Sequence, residues 1–413
     1  MPKINSHPKD QELNKLAQAA KDKKAAFGED IDLSQYAMTS RPQEYVKDIA
    51  TLPSRQKERL LESGIDPTGE NRSGTYLQVD HSVVHCSVKQ EGLELMSVAD
   101  AREKYDWMDE YWWMAVKVDA DKYTATAALQ PHFGYFIRAK AGMESVFPLQ
   151  ACLYLGKDMT SQNVHNIIIA EEGAKLHIIT GCQVAKDVKS GIHLGVSEFY
   201  VKKNATITFT MIHNWAEEVA VRPRTGAIVE EGGVFLSNYV CMKPVRTLQA
   251  YPTCYLNGRG ATARFNSILV ATPGSHLDVG ARVILAAPDT RAEIISRTIT
   301  TGGTIIARGQ LIGEAAPVKA HLECHGLQLA DTGVIHAIPE LLAKVSGVEM
   351  SHEAAVGKIA QEEIEYLMCR GLSKEEATAT IVRGFLNVQI EGLPLALKQD
   401  IDSIVSKLEA DAL

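Results

Sequence analysis

The spacing of apolar and polar residues divides the chain into three stretches. Residues 1–70 are crowded with charge, and the stretches 11–26 and 42–63 read as helices lying on a polar surface. Ser63-Gly64 and the following Asp66-Pro67-Thr68-Gly69 read as a helix stop and then a turn. From residue 71 the pattern becomes one of short β-rich runs between turns: 165–170, 175–180, 206–212, 234–240, 262–270, 276–285 and 293–299. No helix-length amphipathic pattern separates these runs, which argues against a parallel sheet built from strand–helix–strand units. Beyond residue 350 the pattern turns helical again, with segments at 361–370, at 374–387 and from Pro394 to about residue 408. Gly371 is a natural helix stop, Ser373-Lys374-Glu375-Glu376 has the form of a capping box, and Pro394 suits a first helical turn.

The turns of the middle stretch recur at a period. A small turn unit followed by alternating residues stands at Gly173, Asn204, Gly232, Gly260, Gly274, Asp289 and Gly302, with successive gaps of 31, 28, 28, 14, 15 and 13 residues. Gaps near 14 and its double predict a β-solenoid whose rungs stack on one another. A β-sandwich is the rival, but it calls for strands every 8–12 residues or so with no common turn phrase. The organisation expected is a helical region at 1–70, a β core at 71–350 and a helical domain at 351–413.

Composition narrows the function. The chain has 413 residues, 43 basic against 51 acidic, for a net charge of −8, a poor match to a general nucleic-acid binder. No apolar run approaches the roughly 20 residues of a membrane helix, and the first residues lack the apolar core of a signal peptide, so a cytoplasmic location is expected, with no membrane partner. The seven cysteines include no Cys-x-x-Cys, which disfavours a zinc ribbon or a redox dithiol. Absence of a Gly-x-x-x-x-Gly-Lys-[Ser/Thr] loop argues against ATP hydrolysis by this chain. Neither a Gly-x-Gly-x-x-Gly dinucleotide loop, a Gly-x-Ser-x-Gly elbow nor a His-Glu-x-x-His helix occurs. A β-helix carbohydrate enzyme would place Asp, Lys and Arg in a row on one open sheet, and no such row is evident.

Candidate chemistry is concentrated near the end of the β core. His321-Leu322-Glu323-Cys324-His325 packs thiol, imidazole and carboxylate into five residues. On a strand, Cys324 shares a face with Leu322, while His321, Glu323 and His325 share the other. A cysteine flanked by leucine is more often a core residue than a ligand. Ser351-His352-Glu353 follows at the junction with the helical tail, where surface polarity or a helix cap is the plainer reading. Cys324 and His352 are 28 residues apart, one double repeat. If that is one rung they stack about 4.8 Å apart, and a thiolate and an imidazole at that separation can share iron. Cys254 lies beside Pro252, which limits ladder pairing and suggests an edge or bend; it is either a packed thiol or a functional one. The aromatic cluster at 105–113 is expected to pack an end of the β core.

Four phrases carry a family resemblance: MIHNWAEEVAVRPRTGAIVEEGGVFLSNYVCMKPV, DTRAEIISRTITTGGTIIARG, AHLECHGL and SHEAAVGKIAQEEIEYLMCRGLSKEEATATIVRGF. They resemble the SufB/SufD family of iron–sulfur cluster assembly proteins over roughly residues 80–390, most strongly at 160–386. Length and the short N-terminal region look like the compact SufB-type form. The resemblance implies a right-handed parallel β-helix core with N-terminal and C-terminal α-helical domains. It implies a SufC-type ABC ATPase docked on the C-terminal helices, and a self or SufD-like partner meeting this chain at the β-helix end. Such a complex receives sulfur and iron, builds a nascent cluster as scaffold rather than enzyme, and passes it to apoproteins. Some bacterial complexes also bind reduced flavin, which nothing in this sequence supports.

Residue by residue, Cys324 matches the family's proposed cluster ligand, His352 and Glu353 match part of its acidic–His–Glu group, and Cys254 matches the proposed sulfur acceptor. Two positions depart from the SufB pattern. Ser351 stands where SufB members often have Glu, and Arg297 stands where bacterial SufB commonly has Lys, in a path thought to help sulfur move. This mixture also admits a SufD-like platform that clamps the ATPase and a partner without carrying a cluster.

Overall fold

In the computed structural model, which describes residues 8–131 and 133–386, the chain folds as a parallel β-solenoid with helices at both ends. The third C-terminal helix expected from Pro394 lies outside the described residues. The walls are two sheets, ten- and eleven-stranded among the described residues. A strand on one wall is followed by a turn, a strand on the opposite wall and a second turn. The sandwich alternative is excluded by the parallel pairing of successive rungs.

The repeat seen in the sequence is this geometry. Thr206 pairs with Val234, Val234 with Thr262, Thr262 with Arg291, Arg291 with Lys319 and Lys319 with Glu349, steps of 28, 28, 29, 28 and 30 residues. One rung is therefore the double repeat and one wall the single repeat. All seven turn residues named above have positive φ, from 55° at Asn204 to 136° at Gly302. Such a conformation suits Gly, and less strictly Asn and Asp, which is why one small-residue phrase recurs. Between turns, alternate side chains enter the lumen. Leu277, Val279, Ala281, Val283 and Leu285 do so on one wall, and Ala292, Ile294, Val318, Ala320 and Leu322 on the other, all buried in one continuous core. Removing such side chains from water contributes roughly 1.5–3 kcal/mol for each large one.

The outer faces of the walls are covered by the flanking elements. Helices α1 (Pro8–Ala20), α2 (Ser54–Glu62), α3 (Val98–Lys104) and α4 (Lys122–Leu129) precede the regular rungs. The expected helix at 42–63 is confined to α2, because Pro53 starts the helix and a residue before proline is pushed out of helical geometry. Helices α3 and α4 fall inside the stretch read as purely β. Their only announcements are local caps, Ser97 to the Asp100 amide and a capping box between Asp121 and Thr124. The aromatic cluster corrects another expectation. Trp112 and Trp113 pack with Ile167, Ile169, Val196 and Tyr200 on the side of one wall, not across an end of the solenoid.

At the other end, α5 (Gln361–Met368) and α6 (Lys374–Leu386) fold back along the opposite wall. Ser373 and Glu376 form the anticipated capping box, each side chain bonding the other's amide. Ala379, Val382 and Leu386 of α6 are buried against Ile268, Ile299 and Leu327.

Candidate functional site

The site lies on the last two rungs. Strand Val318–Gln328 is the penultimate strand of its wall and Val348–Gly357 is the edge strand. Residues of the first alternate between lumen and exterior as the sequence predicts. Leu322 and Cys324 point inward and are 0% and 2% exposed, while His321, Glu323 and His325 face outward and are half-buried. Leu322 fills the lumen against Gly309, where an added Cβ would come within 2.3 Å of its side chain. Burial and the nearby Glu323 carboxylate push the Cys324 thiol up to about 11. At neutral pH it is a thiol, and a metal or sulfur electrophile must displace its proton.

The final step of 30 residues changes the expected pairing. Cys324 is in register with Ala354, and His352 with Leu322. Cys324 and His352 therefore do not stack; they sit diagonally on adjacent strands, about 8 Å apart at Cα from ordinary strand spacings. The reason is turn length. Three residues join Thr300 to Thr304, whereas five join Gln328 to Val334 on the next rung. Because in-register residues of parallel strands point the same way, His352 keeps the lumen-side orientation of Leu322 and Cys324, but with no rung above it among the described residues it is exposed.

Glu353 lies on the outer side, where the structure assembles a second group. His325 Nε2 is 3.6 Å from Glu323 Oε1 and 3.5 Å from Glu353 Oε1. Arg297, one rung below and in register with His325, pairs with Glu323, and its guanidinium lies 6.0 Å from the Phe385 ring of α6. Ser351 is engaged by His321, Oγ to Nδ1 at 2.9 Å. Among the described residues no three His, Cys, Asp or Glu side chains converge closely enough to hold a metal. The thiol and His352 thus approach from the lumen side, and Glu353, His325 and Glu323 from the exterior. Sequence reasoning had placed Glu323 and His325 on one face without seeing that Glu353 joins them; that link needs the true register.

Cys254 is far from this edge in the stack. It pairs with Ala227 below and Val283 above, faces the lumen and is 0% exposed. Burial holds its thiol well above the usual range. The strand does break beside it, at Tyr251-Pro252, between Thr247–Ala250 and Thr253–Leu256. A lumen cavity of about 60 Å³ is lined by Pro252 at one side and by Ser237, Ser267 and Ser296 at the other. Ser267 and Ser296 are hydrogen-bonded at 3.1 Å, and Ser296 is in register with Cys324. A polar floor thus runs beneath the candidate ligand, which the sequence did not suggest.

A thiol, imidazoles and carboxylates thus stand on the last two rungs of a β-solenoid, on opposite sides of the strand edge. The family model described as "SUF system FeS cluster assembly, SufBD core domain" matches residues 153–385, which include the four candidate residues. An iron–sulfur cluster assembly SufBD family protein of Methanothermobacter thermautotrophicus strain Delta H is 49% identical over 92% of this chain and 94% of its own. One from Archaeoglobus fulgidus is 52% identical over 86% of this chain and 96% of its own. The iron–sulfur cluster assembly protein SufB of Bacillus subtilis is 28% identical over 86% of this chain and 78% of its own. The chain belongs to the SufBD family of the SUF iron–sulfur cluster assembly system.

Proposed function

We propose that this chain is a scaffold subunit on which a nascent iron–sulfur cluster is assembled, with Cys324 as its thiolate ligand and His352 and Glu353 completing part of the donor set. The observation that carries the reading is the position of Cys324, one strand from the open end of the solenoid and flanked by imidazole and carboxylate donors on the last rung. The cluster is cargo. One thiolate with nitrogen and oxygen donors holds iron less firmly than four thiolates, which suits release to an apoprotein.

The donor set of one chain is small, and among the described residues the last rung leaves two strand edges, Val334–Ala343 and Val348–Gly357, without a further rung. Leu341, Leu342 and Val356 are exposed there. An edge of this kind favours a partner that continues the sheets and adds ligands, a second copy or a SufD-like subunit. Docking of a SufC-type ATPase on the C-terminal helices is supported by Tyr366 and Met368, 59% and 43% exposed on α5. For Cys254 as sulfur acceptor, the supporting feature is the lumen cavity between its proline break and Ser296; its burial requires an opening of the wall before a donor protein reaches it.

Anaerobic reconstitution with iron and sulfide tests the central reading. Wild type should develop sulfur-to-iron charge-transfer absorbance and Cys324→Ala should not; equal spectra would remove the ligand assignment. A second reading, the SufD-like platform, is favoured by Ser351, whose hydroxyl is committed to His321 where a carboxylate ligand would otherwise stand. It predicts firm ATPase binding with no absorbance under any reconstitution condition.

A further inference from the structure

Two carboxylates flank the imidazole of His325 on the outer side of the last two rungs. Glu323 and Glu353 are in register on neighbouring strands, so they point the same way, about 4.8 Å apart at Cα. Their distances to His325 Nε2, 3.6 and 3.5 Å, do not distinguish them. Charge and burial do. Glu323 is ion-paired with Arg297 from the rung below, and its side chain is 18% exposed. The Glu353 side chain is 65% exposed, and among the described residues no lysine or arginine pairs with it.

Arg297 is itself fixed in place. It is in register with His325, its side chain is 19% exposed, and its guanidinium lies 6.0 Å from the Phe385 ring of α6, at the outer limit of a cation–π contact. A guanidinium set between a strand and a helix keeps its charge at any working pH and has little room to swing away. Two carboxylates side by side repel one another, and a single cation offsets only one of them. A carboxylate already paired to a guanidinium must give up that pair to ligate another cation.

Resting on the reading of this edge as an iron site, we propose that Arg297 decides which carboxylate becomes the oxygen donor. It holds Glu323 as its counter-ion and leaves Glu353 to iron. Arg297 is a positioning residue, since it acts on iron only through Glu323. The selection is electrostatic, so removing the charge at position 297 moves the donor role one strand inward, from Glu353 to Glu323.

The test is an anaerobic titration of the full chain with ferrous iron against a chromophoric chelator, which reads affinity without sulfide or a cluster. Glu353→Gln is expected to weaken iron binding at least about tenfold. Adding Arg297→Gln to Glu353→Gln should recover most of that loss, because Glu323 is released. Adding Arg297→Lys instead, which keeps the charge, should recover none. Adding Glu323→Gln to the Arg297→Gln, Glu353→Gln pair should abolish the recovery. Arg297→Met, which keeps an apolar stem beside Phe385, is run in parallel in case the glutamine variant folds poorly. A loss in Glu353→Gln that neither Arg297→Gln nor Arg297→Met restores overturns the inference and leaves the donor set standing. Recovery that equals that of Arg297→Lys, or that survives Glu323→Gln, overturns it too. Wild-type affinity in Glu353→Gln removes Glu353 from the donor set and the inference with it.

Discussion

Glu353 Oε1 lies 3.5 Å from Nε2 of His325, joining the outer sides of the last two rungs. Cys324, the residue between Glu323 and His325, turns the other way, into the lumen. A ligand reached from both sides must therefore sit at the strand edge rather than on either face. Iron ligation there should be graded. Cys324→Ala is expected to abolish the charge-transfer band, and Glu353→Gln or His352→Ala to lower its yield severalfold while leaving the melt nearly unchanged, since both are exposed. A Glu353→Gln, His352→Ala double variant with wild-type yield would remove these residues from the donor set.

That edge also predicts association. Leu342 is 47% and Val356 47% exposed on the final rung. Placing a charge at an edge strand is a general means of preventing sheet continuation. If the end is an interface between copies, Leu342→Lys with Val356→Lys should convert a dimer to a monomer in light scattering at micromolar concentration. A dimer that persists unchanged would place the interface elsewhere.

Much of the fold is legible in the chain itself. The solenoid is legible because each rung needs a left-handed turn residue at a fixed distance, and Gly173, Asn204, Gly232 and Asp289 mark those places. The inward turn of Cys324 is legible because strand alternation is strict. The pairing of Cys324 with Ala354 is not, because two added residues in the turn at 329–333 are indistinguishable in sequence from any other loop variation. Nor is the covering of the wall by α6, since the amphipathic face of a helix does not say which apolar wall receives it.

The packing of α6 can be tested by itself. Val382 and Leu386 are buried on Ile268, Ile299 and Leu327. Leu386→Ala should cost about 2–4 kcal/mol of local stability. In a solenoid this loss falls on the helix and its neighbouring rungs rather than on the whole chain. Amide exchange should quicken in α6 while Thr160–Ala170 keeps its protection. Uniform loosening of all rungs would mean that α6 is integral to the core.

The buried thiols make stability depend on pH. Burial pushes Cys86 and Cys324 up to about 11, and Cys152 and Cys241 up to about 12. In the unfolded chain a thiol loses its proton near pH 8.5, so above that value the unfolded state binds fewer protons than the folded one. The stabilisation is complete below about pH 8.5 and falls as pH rises toward the folded values. The urea midpoint should hold between pH 7 and 8 and decline by pH 10, less steeply in Cys152→Ala. A midpoint that rises over this range would contradict the burial of these groups.

Glu198 makes the most consequential polar contact on the solenoid wall. Its carboxylate is 0% exposed and accepts from the amides of Trp113, Ala115 and Val116 at 2.8, 2.6 and 3.0 Å. His165 Nε2 lies at 2.8 Å, and the ring of Trp112 stacks on His165 at 4.2 Å. This one side chain pins the tryptophan loop to the wall, and an acceptor with fewer lone pairs cannot replace it. In Glu198→Gln one oxygen becomes an NH₂ group facing donors, so the loss should be about 2–3 kcal/mol. Glu198→Ala leaves the three amides and His165 without this acceptor, while the Tyr200 hydroxyl, which also donates to Glu198, keeps the Tyr111 carbonyl, and the change should cost about 3–5 kcal/mol. Both should shift tryptophan fluorescence to the red as Trp112 and Trp113 meet water. If Glu198→Ala melts like the wild type with unshifted emission, the loop is held by its apolar contacts and the carboxylate is incidental.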